Sequence, residues 1–184
     1  MSLLKVLTFP DKRLREKSKA IKKVTSSLQD LAEHMFETMY AEDGIGLAAP
    51  QVGETIRLIV LDVAKRDPDD PDNVEKRTPD PVAMINPEII KAEGIVQFEE
   101  GCLSCPELVI LVDRKSEIKV KYLDLNGKPH TLDVNGLKGV CIQHEIDHLN
   151  GILLVDKISR LKRDLYKHQR LRIAKEEKDL ANIL

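Results

Sequence analysis

Apolar residues Leu28, Leu31, Ala32, Met35 and Met39 recur at helical spacing, which predicts a helix over residues 28–40. Ser27-x-x-Asp30 has the form of a capping box at its start. Gly44 and Gly46 then read as a loop. The unbroken run Ile56-Arg57-Leu58-Ile59-Val60-Leu61 predicts a buried strand. Residues 67–81 hold Pro68, Pro71, Pro79 and Pro81 and predict an exposed loop. Residues 82–85 and 109–112 read as short strands. Ile118, Val120 and Tyr122 alternate with charges, as in a half-exposed strand. Asn126-Gly127 marks a hairpin turn into a strand over 131–134. A helix beginning at Gly136 or Leu137 has apolar first turns (Leu137, Val140, Cys141, Ile142), and Gly151 is placed to stop it. Residues 158–183 predict a long, charged C-terminal helix. Strands joined by short connections, with helices last, favour an α+β fold over an alternating parallel sheet.

Composition adds bounds. The 184 residues fit one domain, and aromatic residues are only 3% with no Trp, so the core should be aliphatic. A net charge of −2 gives no global pull towards DNA or an anionic membrane. No stretch reaches the length of a membrane span. Residues 1–23 mix charges among the apolar positions and do not form a signal peptide, and Asp11 and Glu16 argue against a transit peptide. Three cysteines, Cys102, Cys105 and Cys141, are an odd and sparse set that predicts free thiols and a cytoplasmic location.

The strongest chemical signal is His144-Glu145-Ile146-Asp147-His148. Two histidines four apart stack on one helix face and can share a metal ion. A glutamate after the first histidine can reach a water bound to that ion and take its proton. Such a site needs a third protein ligand and an open position. One protease class supplies a histidine at the place where this chain has Leu154, so that route fails. Another takes a later glutamate. Glu176 and Glu177 have the position, but they sit in a highly charged run. Cys102, in Glu99-Glu100-Gly101-Cys102-Leu103-Ser104, is the better third ligand, because a thiolate binds zinc or ferrous iron strongly.

Three separated motifs now stand in order: Gly44-Ile45-Gly46-Leu47-Ala48-Ala49-Pro50-Gln51, Glu100-Gly101-Cys102-Leu103-Ser104 and Gln143-His144-Glu145-Ile146-Asp147-His148. With them the chain resembles the peptide deformylases, from about Val6 to the C-terminal helix. The resemblance implies an α+β fold of antiparallel or mixed sheets around a central metal-binding helix, as a single catalytic domain over 1–184. It implies hydrolysis of the N-formyl group from the formyl-methionine of new polypeptides, releasing formate. The runner-up is a general metallopeptidase of the His-Glu-x-x-His type.

The resemblance also distributes roles. Cys102, His144 and His148 hold one divalent ion. That ion is Fe2+ in the cell, with Zn2+, Ni2+ or Co2+ replacing it in purified protein. Glu145 moves the proton. The Gln51 side-chain amide and the Leu103 backbone N–H stabilise the oxyanion. Gly44, Ile45, Gly46 and Gly101 lie along the substrate backbone. Phe98, Leu137, Val140 and Cys141 form the methionine pocket. Glu100 supports the site, and Arg114 is placed to pair with it.

Two positions depart from the family pattern. Cys105 stands where an aliphatic residue is usual, and we expect its thiol near the rim of the site. Val109 stands where some members carry an arginine facing the substrate. Between Lys157 and Lys178, nine Lys/Arg accompany three Asp/Glu. This basic helix in a slightly acidic chain points to an anionic partner, and some members of the family dock on the ribosome through such a helix.

Overall fold

The computed structural model describes residues 3–63 and 79–181. Among the described residues, seven strands and three α-helices are formed in the order α1 (Ser26–Ala41), β1 (Gly46–Ala48), β2 (Leu58–Leu61), β3 (Val82–Glu93), β4 (Val96–Glu100), β5 (Ile110–Arg114), β6 (Glu117–Leu123), β7 (Pro129–Asn135), α2 (Gly136–Leu149) and α3 (Arg160–Ala181). Five strands make a sheet in the order β1-β2-β3-β6-β7, and β4 pairs with β5 in a separate ribbon. Every strand pairing is antiparallel. The α+β expectation holds.

Strand β2 shows why its sequence lacks polar alternation. Successive side chains point to opposite faces, and both faces are covered. Leu58 and Val60 pack with Leu28, Ala32, Met35 and Met39 of α1. Ile59 and Leu61 pack with Cys141, Ile142, Ile146 and Leu149 of α2. The two helices therefore sandwich one end of the sheet, and α2 is buried on most of its circumference.

A third apolar cluster joins Leu7, Phe9 and Leu14 to Cys105, Val112, the Leu153-Leu154-Val155 segment and Tyr166 of α3. Phe9 stacks on Tyr166 at 5.9 Å between centroids, and the Tyr166 hydroxyl donates to Pro106 O at 2.8 Å. The N-terminal segment thus becomes a strap. Its backbone bonds run from Leu7 N to Gln51 O (2.7 Å), from Phe9 N to Ser104 O (2.8 Å) and from Ser18 N to Leu149 O (2.9 Å).

Several boundaries differ from the sequence expectation. Helix α1 is capped by Thr25, whose hydroxyl accepts from Leu28 N at 3.3 Å, so Ser27 lies inside the helix and forms no capping box. Gly46 opens strand β1 instead of belonging to a loop. Strand β4 was not anticipated. The hairpin at Gly127 (φ 77°) and the termination of α2 at Gly151 (φ 75°) are as expected, and Gly151 N donates to His148 O at 3.0 Å. A Cβ on Gly151 would lie 2.5 Å from Arg15 O, so glycine is required there for space as well as for conformation. Most of the expected loop over 67–81, and the end of the C-terminal helix beyond 181, lie outside the described residues.

Candidate active site

Helix α2 projects His144 and His148 from one face, one turn apart. Their Nε2 atoms are 3.3 Å apart. The turn after β4 brings the Cys102 Sγ to 3.2 Å from His148 Nε2. The three ligand atoms all lie within 4.8 Å of one another, a spacing that fits a single metal ion. The donor chemistry fits too. Burial, then the charges of His144 and Arg114, holds the His148 imidazole well below its usual pKa and therefore neutral, as a ligand must be. The Cys105 contact and burial push the Cys102 thiol up, so without a cation it stays protonated.

Glu100 orients the first histidine. Its carboxylate accepts from His144 Nδ1 at 2.8 Å, leaving Nε2 for a metal. The same carboxylate takes two bonds from Arg114, Nε to Oε1 at 2.7 Å and Nη2 to Oε2 at 2.9 Å. Burial opposes ionisation of Glu100, but the Arg114 and His144 bonds outweigh it and hold the group at about 2. Arg114 also donates to Asp147 at 2.6 Å. Asp147 is the fourth residue of the His144–His148 motif, and the motif thereby fastens α2 to β5. Neither that tie nor the strap that positions Gln51 and Ser104 was read from the sequence. Asp147 carried a usable signal, since it lies three residues after His144 on the same helix face.

Glu145 is buried, and its Oε2 has no hydrogen-bond partner. Desolvation pushes its carboxyl up to about 7. An orphaned buried acceptor is costly unless a ligand or water uses it. Gly46 stands directly against this group. A Cβ there would be 2.5 Å from Glu145 Oε1 and 2.7 Å from Cys141 Sγ. The glycine is present because β1 must pass this close.

Gln51 sits on the 3-10 turn Ala49–Val52, and its side-chain orientation is fixed. Its Oε1 accepts from Ala48 N at 2.7 Å, so its Nε2 faces Ser104 Oγ (3.1 Å) and Cys102 Sγ (3.8 Å). Leu103 follows Cys102, and a Cβ on Gly44 would lie 3.1 Å from Leu103 Cδ1. The glycine segment and the cysteine turn thus meet beside the donors. Ile45 packs on the Cys141 cluster, and its carbonyl lies 3.6 Å from Cys141 Sγ.

On α2, Leu137, Cys141 and Glu145 form one helical row, and Val140, His144 and His148 form a second. Phe98 lies on β4, on the same face as Glu100 two residues on. Gly101 approaches Val109, which is 59% exposed. Cys105, in contrast, is not at a rim. It is 1% exposed within the apolar cluster under the cysteine turn, because Cys105 N bonds back to Cys102 O at 2.9 Å and folds it inward.

A thiol with two imidazoles, a buried carboxylate poised beside them and an oriented amide next to the thiol belong to metal-dependent hydrolases. The family model for polypeptide deformylase matches residues 3–164, and the chain belongs to that family. It is 51% identical over 165 residues to the peptide deformylase of Bradyrhizobium diazoefficiens, covering 89% of this chain and 92% of the relative. It is 47% identical to that of Desulfotalea psychrophila, covering 91% and 94%. The crystal structure of peptide deformylase from Ehrlichia chaffeensis superposes with a TM-score of 0.86 at 39% identity, covering 97% of this chain and 99% of that one. The chain is accordingly an enzyme that removes the N-formyl group from new polypeptides, and a general metallopeptidase is not favoured.

Proposed function

We propose that Cys102, His144 and His148 hold the divalent metal of this deformylase and that Glu145 moves the proton. The observation that carries this reading is the three-donor group with the unpartnered Glu145 carboxylate beside it. A bound divalent ion supplies an acidified water and polarises the formyl oxygen. Glu145 accepts the proton of the attacking water and passes it to the leaving amine, which a carboxyl poised near neutrality does well. Gln51 Nε2 and Leu103 N–H donate to the oxyanion of the tetrahedral intermediate. The Gly44-Ile45-Gly46 edge and Gly101 receive the substrate backbone as an added strand, and β1 is an outer strand of its sheet. Phe98, Leu137, Val140 and Cys141 line the methionine pocket. One thiolate with two imidazoles suits ferrous iron, which we assign as the cellular metal, with zinc, nickel or cobalt as replacements.

Gln51→Ala tests the oxyanion role. The kcat for formate release from formyl-Met-Ala should fall about 10²–10³-fold with metal content unchanged. A loss under about tenfold would take Gln51 out of that role.

We further propose a single catalytic domain over 1–184, working in the cytoplasm and meeting the ribosome through α3. Three free thiols and a substrate made by the ribosome support the location. Cell fractionation that found the enzyme outside the cytoplasm would overturn it. Tyr166 anchors α3 in the core, so the ribosome test leaves the backbone intact. Lys162, Lys167, Arg172 and Lys175 are exposed, and replacing them by Glu should abolish ribosome cosedimentation at unchanged turnover of formyl-Met-Ala. Unchanged cosedimentation would remove the proposal.

A further inference from the structure

We propose that Cys102 and Cys105 are a reversible redox pair, and that closing a disulfide between them removes the thiolate from the metal group and switches the enzyme off. The inference rests on the assignment of Cys102 as a metal ligand.

The geometry supplies the pair. Residues Cys102-Leu103-Ser104-Cys105 form a turn closed by Cys105 N–H donating to Cys102 O at 2.9 Å. A closed four-residue turn keeps its end Cα atoms within about 7 Å. That lies close to the span of roughly 4.4–6.8 Å that a disulfide bridges. Cys102 packs directly on the apolar cluster containing Cys105, so both ends of the turn face the same buried space. The turn cannot easily swing Cys105 away, because Leu108 N bonds back to Cys105 O at 3.2 Å and Phe9 N holds Ser104 O from below.

Exposure assigns the order of events. Cys102 is partly exposed and Cys105 is buried, so an oxidant meets Cys102 first. Cys105 is outside the metal-ligand group and lies in the apolar cluster beneath it. The third thiol, Cys141, lies on α2 against Ile45 O and is not part of the turn.

Hydrogen peroxide is the oxidant class. The Cys102 sulfur attacks one peroxide oxygen and the O–O bond breaks. Cys102 becomes a sulfenic acid and water leaves. The Cys105 sulfur then attacks the sulfenic sulfur, an S–S bond forms and the S–O bond breaks. The departing hydroxide takes the Cys105 proton as a second water. The thiols lose two electrons and peroxide gains them. Because the resolving sulfur sits in the same turn, this step outruns further oxidation of Cys102. The disulfide draws Sγ from its place 3.2 Å from His148 Nε2, leaving the group with its two imidazoles.

The test uses the metal-loaded full chain treated with a several-fold molar excess of peroxide, beside Cys105→Ala. Intact-mass measurement should show wild type losing about 2 Da, with one thiol alkylatable after denaturation in place of three. Released metal should rise in step with that species. Dithiothreitol and fresh metal should restore wild type. Cys105→Ala should instead gain about 32 or 48 Da at Cys102 and stay metal-free after reduction. Wild type that gains those oxygens as fast as the variant, with no crosslinked species, would overturn the redox pair and leave the metal assignment standing. Full metal binding by unoxidised Cys102→Ala would overturn that assignment instead.

Discussion

Glu145→Gln should lower kcat for formate release by about 10²–10⁴-fold while the purified protein keeps its full metal content. The substitution preserves shape and removes only the ability to take a proton. Glu145 is buried beside the donor group, its Oε2 has no partner, and burial holds its carboxyl at about 7. A carboxylate kept as a structural support would be hydrogen-bonded, as Glu100 is. Steady-state kinetics with metal analysis checks the expectation. Near-normal kcat would deny Glu145 the proton, and loss of metal would make it a ligand.

Arg114→Met should destabilise the fold by about 3–5 kcal/mol, because it leaves the Glu100 carboxylate buried against a long apolar side chain. Arg114 and Glu100 are both buried, and the guanidinium also holds Asp147. Arg114→Met with Glu100→Gln should recover much of the stability, since no uncompensated charge remains. It should not recover metal affinity, which should stay about 10–100-fold weaker because His144 has lost the carboxylate that orients it. The pH dependence follows in sign. Glu100 is held at about 2, below the ordinary 4.5 of an unfolded glutamate, so its contribution is complete above 4.5. It is lost as pH falls from there towards 2. Urea unfolding across that window should show a shallower acid-side loss in the double variant. A single-variant cost below about 1 kcal/mol would deny the pair its structural weight.

The parts legible in the sequence were those written in side-chain spacing. The two histidines and Glu145 stand out because four residues make about one helical turn. The buried strand at β2 was readable from its unbroken apolar run. Strand β1 was not, because it has three residues and opens on a glycine that exists to pass Glu145 closely. The helix cap fell on Thr25, where an extended backbone set the start before the Ser27 pattern could. The strap through Leu7 and Phe9 acts by backbone bonds, which leave no residue signature. Cys105 was expected at the rim because its neighbours in sequence are near the site, but the turn it closes buries it.

On the proposed reading, deformylation needs one metal ion held by Cys102, His144 and His148. Anaerobic titration of metal-free protein with Fe2+, scored by bound metal and by formate release from formyl-Met-Ala, tests it most directly. Activity should rise in proportion to bound metal and level off at a single ion per chain, with Cys102→Ala binding far more weakly. Full turnover in the metal-free protein, or unchanged binding in Cys102→Ala, would contradict it.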